Sequence, residues 1–207
     1  WACILQNTQT NFETDLFMPL IKNIEKQCGI VYEGQMAFKV IADHIKALTF
    51  AIADGAILSN EGRGYVLRRL LRRAVKYGLK LGFQSPFLFK LVPVVIDMMA
   101  DFYPVIKENQ IIVEKVVFSE EEKFFETIAD GEKLLEEALN QTQDTLSGQI
   151  VFKLYDTYGF PFELTEEYAL EKGFKIDKDG FEEALKEQKE RSRKAAKEIG
   201  SMNKQDE

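Results

Sequence analysis

Apolar residues along this chain recur at steps of three and four far more often than they alternate, so the pattern predicts helices throughout and few strands. Helices are expected near residues 13–28, 36–54, 60–81, 85–102, 106–140, 162–172 and 179–199, and the segment 150–160 reads equally as a short helix or an extended piece. In the second of these, Phe38, Ile41, Ile45, Leu48 and Ile52 form one stripe, and Val40, Ala42, Ala47, Ala51 and Ala53 make the helix apolar almost all round. Such a helix belongs in the centre of a bundle. His44, next to Asp43, then reads as a core histidine satisfied by a neighbouring group, because buried polar groups find partners. The long helix carries Val113, Val117, Phe124, Ile128, Leu135 and Leu139 at steps of 4, 7, 4, 7 and 4. That is an eleven-residue repeat, about 3.67 residues per turn. Its other faces carry Glu114, Glu120, Glu121, Glu122, Glu126, Glu132, Glu136 and Glu137, a charge run that reads as a solvated face. The last helix is expected to open on an N-cap at Asp179 with Glu182 three residues on. The expected fold class is all-α, a bundle of about six or seven helices including one long one.

Composition narrows the function classes. A length of 207 residues suits one domain or two. A net charge of −7 argues against a generally basic nucleic-acid coat, and 45% apolar residues are enough for a real core. Two cysteines, Cys3 and Cys28, are too few for a disulfide-rich secreted fold. A single histidine, His44, removes most zinc sites, a histidine-based triad and a multi-histidine proton relay. Asp177-Lys-Asp179-Gly180 starts like a calcium loop, but the later ligands and the closing Glu do not follow at loop spacing, so no metal site is expected. No run of about 18 apolar residues spans a membrane. No basic-then-apolar leader is expected, and a reduced cytoplasmic setting is. The chain opens on Trp1-Ala2-Cys3-Ile4-Leu5 rather than Met, which reads as a piece cut from a longer protein whose chemistry lies elsewhere.

Charge is concentrated in one place. Between residues 60 and 82 there are seven cations and one anion, Glu61, a net +6, so the other 184 residues sum to −13. On a helix at about 100° per residue, Arg68, Arg69, Arg72, Arg73, Lys76 and Lys80 span an arc of about 140°. Leu67, Leu70, Leu71, Ala74 and Val75 lie nearly opposite, and Arg63 falls at the helix start. Like charges on one face repel, so either an external anion such as a phosphate backbone meets them or acidic faces such as 114–137 neutralise them within the molecule. Periodicity leaves both open. The same helix, presented to an acidic protein instead, would make the chain a helical interaction module with a basic docking face.

Two polar positions stand out beside this stripe. Ser59 or Asn60 is a good N-cap for the basic helix. Gly62 and Gly64 weaken its first turn and leave room for a ligand backbone. Asn60 therefore reads either as a plain cap or as a group that meets phosphate or a base edge. In Lys153-Leu-Tyr-Asp156-Thr-Tyr-Gly-Phe-Pro161, Gly159 and Pro161 force a turn. Asp156 either serves that turn locally or accepts hydrogen bonds from exposed donors such as a guanine amino group in a minor groove.

Asn11-Phe-Glu-Thr-Asp-Leu-Phe17, Lys39-Val-Ile-Ala-Asp-His-Ile-Lys-Ala47, Ala53-Asp-Gly55, Ser59-Asn-Glu-Gly-Arg-Gly-Tyr-Val-Leu-Arg-Arg69 and Lys153-Leu-Tyr-Asp-Thr-Tyr-Gly-Phe-Pro161 resemble the alanyl-tRNA synthetase family, in order, from near residue 4 to about 195. The resemblance implies the helical tRNA-recognition region that follows a class II aminoacylation core. It divides the chain into the end of that core with a linking helix (1–35), a helical recognition domain (36–200) and a frayed tail (201–207). It implies that Asn60 and Asp156 read the G·U pair of the acceptor stem of alanine tRNA. Arg63, Arg68, Arg69, Arg72, Arg73 and, less directly, Lys76 would hold the stem backbone. The implied partners are that acceptor stem and the rest of the synthetase chain, with no membrane and no DNA. The complete enzyme is implied to use ATP and magnesium to attach alanine and to carry an editing-domain zinc. The glycine-rich ATP motif and the zinc-binding His and Cys set lie outside these residues, so the piece is expected to bind without catalysing and to hold no cofactor. Lys39 and Lys46 stand where many relatives have Arg, which keeps the charge and loses the fork.

Overall fold

In the computed structural model of the chain, prolines mark the starts of two helices, α2 and α5, that periodicity alone placed too early. The structure describes the backbone of residues 1–202 and side chains as far as residue 191. Among them are ten α-helices: α1 (Ala2–Leu5), α2 (Met18–Cys28), α3 (Met36–Ala53), α4 (Gly62–Lys80), α5 (Val92–Met99), α6 (Pro104–Glu108), α7 (Gln110–Gln141), α8 (Gly148–Asp156), α9 (Phe162–Glu171) and α10 (Lys178–Met202). Two 3-10 turns, Asn11–Glu13 and Leu88–Leu91, and two strands, β1 (Thr145–Leu146) and β2 (Lys175–Ile176), complete the order. The class is all-α, with more helices than the six or seven expected. Beyond seven, the surplus is α1, a single turn, the division of the expected 106–140 helix into α6 and α7, and α8 in the ambiguous segment.

Each break has a local cause. Pro19, Pro93 and Pro104 sit in the first turns of α2, α5 and α6, where a missing N–H costs nothing. The expected helix at 13–28 is therefore a 3-10 turn followed by α2. The one at 85–102 begins only after Phe87, Leu88 and Phe89 have given their N–H groups to Glu121. The one at 106–140 splits at Asn109, whose side-chain amide donates to the Ala53 carbonyl at 3.1 Å. The ambiguous 150–160 segment is helical as far as Asp156, as the larger part of α8. The two strands are two residues each and pair in parallel, Thr145 with Lys175 and Leu146 with Ile176, too short to leave an alternation in the sequence.

The chain forms two compact units, Trp1–Glu126 and a second from Thr127 onward, and the boundary falls inside α7. In the first unit α3 is the central helix and packs against α2, α4, α5 and α6. Phe38, Ile41, Ile45 and Leu48 are fully buried, as the apolar pattern predicts. Each such side chain contributes about 1.5–3 kcal/mol. His44 is a buried histidine with partners on both ring nitrogens: Asp43 Oδ2 at 2.9 Å from Nδ1 and Arg73 Nη1 at 3.2 Å from Nε2. Lys46 ties the 11–17 motif to α3, donating to the Leu16 carbonyl at 3.1 Å with its ammonium 4.7 Å from the Phe17 ring. Burial there draws the Lys46 pKa down.

In the second unit α8 packs against α9 and α10. Leu154, Phe160 and Leu164 are buried in its core. The start of α10 differs from expectation. Asp177, not Asp179, serves it, accepting the Gly180 N–H at 3.0 Å and reaching the Gly148 N–H at 3.4 Å. The helix continues through Met202, two residues into the expected tail, and 203–207 lie outside the described residues. The α7 stripe is buried in both units: Val113, Val117 and Phe124 in the first, Ile128, Leu135 and Leu139 in the second.

Candidate nucleic-acid interface

The acidic run on α7 is not uniformly solvated. Glu122, Glu126, Glu136 and Glu137 are exposed, but Glu120 and Glu121 are buried. Their positions explain this. Glu121 faces the start of the Leu88–Leu91 turn. Its Oε1 accepts from Phe87 and Leu88 at 2.9 and 2.8 Å, and its Oε2 from Phe89 at 3.0 Å. Burial still outweighs those bonds and raises its pKa to about 7. Glu120 faces α4 and takes two of the predicted stripe cations. Arg72 Nη2 donates to Oε1 at 2.7 Å. Arg68 Nε lies 2.8 Å from the same oxygen, a charge contact rather than an aligned hydrogen bond. Arg68 Nη2 reaches Oε2 at 3.3 Å.

The two readings of the basic stripe thus divide residue by residue. Arg68 and Arg72 are neutralised within the first unit, which is the internal alternative. The Arg72 guanidinium also lies 5.3 Å from the Phe124 ring. Lys76 is 1% exposed, so α4 does not display its ammonium to solvent. Arg69 and Arg73 are half-buried, and Arg73 sits between His44 and the Tyr77 ring. Arg63, at the start of α4, is exposed.

The start of α4 also differs from the capping expectation. The N-cap position belongs to Glu61, and no side chain caps the first turn. Ser59 Oγ donates instead to the Glu61 carbonyl at 2.8 Å. Gly64 does not open space for a ligand. A Cβ there would strike the Ser59 hydroxyl and the Ile57 carbonyl, so the glycine admits the chain's own loop. Gly62 has φ +58° and open space around its Cα, a left-handed position that suits glycine. Asn60 is exposed, and its Oδ1 accepts from Arg68 Nη1. The plain-cap reading of Asn60 is therefore excluded.

Asp156 is the last residue of α8 and is exposed. Its Oδ1 accepts from Gln188 Nε2 on α10. Among the described residues no N–H of the following turn bonds to it. That turn is held otherwise: Phe160 N–H donates to the Leu154 carbonyl at 2.9 Å, and Thr127 Oγ1 donates to the Tyr158 carbonyl at 2.8 Å. A carboxylate at a helix C-terminus also opposes the helix dipole. The partner Asp156 has is therefore Gln188, on another helix of the same unit, rather than its own turn.

Periodicity missed two cations. Lys115 and Lys123 on α7 are exposed and, with Arg68, Ile57, Leu58 and Glu120, line an open cleft of about 440 Å³ beside the 55–60 loop. Lys115, Ser119 and Lys123 are spaced i, i+4, i+8, a polar row that the acidic composition of α7 hid. Among the described residues no group of three His, Cys, Asp or Glu side chains is placed to hold a metal ion. With one histidine and two cysteines, the residues present do not fit the zinc set implied for the whole enzyme. Among the described residues no helix is long and apolar enough to cross a membrane.

An exposed amide and an exposed carboxylate, each outside any cap or turn bond among the described residues, thus lie in a chain with one concentrated basic helix. Comparison places it in a family. The model for class II tRNA synthetases (A) matches residues 1–207, and the chain belongs to that family. It is similar to the alanine–tRNA ligase of Acholeplasma laidlawii (strain PG-8A), 60% identical over 207 residues, with 100% of this chain and 24% of that protein covered. It is also similar to the alanine–tRNA ligases of Halalkalibacterium halodurans, 55% identical over 212 residues, and Streptococcus thermophilus (strain ATCC BAA-491 / LMD-9), 54% identical over 213 residues. These matches cover 99% and 100% of this chain and 24% of each relative. The chain thus spans about a quarter of the length of the curated relatives it matches.

Proposed function

We propose that these residues are the tRNA-recognition region of a cytoplasmic alanine–tRNA ligase, whose remaining chain activates alanine with ATP and esterifies it to the tRNA. The end of the aminoacylation core and its linking helix occupy 1–35, and the recognition domain 36–200. Asn60 and Asp156 read the G·U pair of the acceptor stem. In a wobble pair the guanine amino group is left unpaired in the minor groove, and the Asp156 carboxylate is the acceptor for it. The Asn60 amide carries the second contact. Arg63, Arg69 and Arg73, with Lys115 and Lys123, hold backbone phosphates, while Arg68 and Arg72 serve Glu120.

The observation that carries this reading is the exposure of Asn60 and Asp156 with no capping or turn duty, in a chain 60% identical to an alanine–tRNA ligase. The basic docking face of the alternative, an acidic-protein partner, is weakened by Glu120, which already occupies two of its cations. The test is fluorescence anisotropy of full-length enzyme with acceptor helices that differ only in G·U or G·C. Asn60→Ala and Asp156→Ala should each lose the G·U preference by about 1–3 kcal/mol. An unchanged preference in both variants overturns the assignment, and no RNA binding by the wild type would favour a protein partner.

A further inference from the structure

Asn60 is held by a side chain that fixes which end of its amide faces outward. An exposed Asn is free to present either its oxygen or its NH₂, and the two orientations read opposite hydrogen-bond patterns. Arg68 removes that freedom. A guanidinium has only donors, so Arg68 Nη1 can engage only Oδ1 of Asn60, leaving Nδ2 unclaimed by that contact. The guanidinium is fixed in turn by Glu120, which meets its Nε at 2.8 Å and its Nη2 at 3.3 Å. Glu120 is 6% exposed, and its Oε1, which meets Arg68 Nε, also accepts from Arg72 Nη2 at 2.7 Å. The chain Arg72–Glu120–Arg68–Asn60 thus runs from the interior of the first unit to the exposed amide.

We propose that Arg68 is a positioning residue for G·U discrimination, anchored by Glu120, and not a phosphate contact. The proposal rests on the reading of Asn60 given above. The Arg fork is required because one planar group must meet a carboxylate along one edge and an amide oxygen at its other nitrogen. A lysine at 68 keeps the charge but can satisfy one of these partners at a time. The sequence offers Arg68 as one cation among several on a stripe, and only the geometry separates it from the rest.

The test uses the full-length enzyme and paired acceptor helices with G·U or G·C, read as the ratio of the two dissociation constants and as the salt dependence of each. Arg68→Lys should reduce the G·U:G·C ratio on the order of tenfold, with the salt slope unchanged. Glu120→Gln keeps an oxygen acceptor but loosens the anchor, and should reduce the ratio in the same direction. In an Asn60→Ala background, neither substitution should change the ratio further, which a purely structural role would not predict. Thermal melts of each variant report folding separately from the ratio. Equal weakening of both helices with a shallower salt slope in Arg68→Lys would make Arg68 a phosphate contact and overturn the proposal. An unchanged ratio in Arg68→Lys, with Asn60→Ala still losing it, would overturn the proposal alone. An unchanged ratio in Asn60→Ala would overturn the underlying reading as well.

Discussion

Glu121 Oε1 accepts the backbone N–H of Phe87 at 2.9 Å across 34 positions of sequence, so a carboxylate on α7 does for the turn ahead of α5 what a local cap does elsewhere. Two more N–H groups, of Leu88 and Phe89, share the same side chain. The side chain is buried, and desolvation raises its carboxyl from 4.5 to about 7. The folded state therefore binds this proton more tightly than the unfolded state. The stabilisation from protonation is fully present below about 4.5 and is lost as pH rises through about 7. Urea titrations should show stability falling between pH 5 and pH 8 by up to about 3 kcal/mol from this group. Glu121→Gln should flatten that dependence, and an equally steep profile in the variant would assign it to other groups.

Gly131 on α7 lies under the Phe160 ring, and a Cβ at 131 would collide with it. Alanine normally favours a helix over glycine by about 1 kcal/mol. Here the overpacking should win, and Gly131→Ala should destabilise the chain by about 1–3 kcal/mol in urea melts. Phe160 belongs to the turn that follows Asp156, so this contact bears on where that carboxylate is held. A stabilised variant would show that the ring has room to move.

Gly64 poses a sharper choice. A Cβ there would meet Ser59 and the Ile57 carbonyl, the loop that leads to Asn60. Gly64→Ala should lower the melting temperature by several degrees, as about 1–3 kcal/mol of overpacking requires in a unit of this size. Unchanged melting with weakened RNA binding would instead mean that the glycine makes room for a ligand.

Helix identity was legible in the sequence because apolar period and burial coincide. The α3 stripe and all six α7 positions from Val113 to Leu139 are buried as the steps of three, four and seven predict. Boundaries were less legible, because Pro19, the N–H bonds to Glu121 and the Asn109 amide act through single residues that periodicity averages away. The candidate site was legible only in part. Asn60 and Asp156 stood out as polar residues at a helix start and at a turn, but spacing could not separate contact from cap. The pairing of Glu120 with Arg68 and Arg72 spans about 50 positions, so neither the acidic run nor the basic stripe reveals that one carboxylate of the first consumes two cations of the second.

Backbone contact should follow exposure rather than the α4 stripe alone. Lys115→Glu combined with Lys123→Glu should weaken G·U and G·C helices alike and reduce the salt slope by about one unit per lost phosphate contact. Arg69→Glu with Arg73→Glu should do the same. Titrations at two salt concentrations check both pairs, and an unchanged slope removes that pair from the footprint.

The most direct measurement is aminoacylation by the full-length enzyme of two acceptor helices that differ only in G·U against G·C, for wild type and for the Asn60→Ala, Asp156→Ala double variant. The account predicts that the kcat/KM ratio, large for the wild type, collapses towards one in the double variant, with alanine activation by ATP unaffected. A double variant that still charges the G·U helix in strong preference to the G·C helix would contradict it.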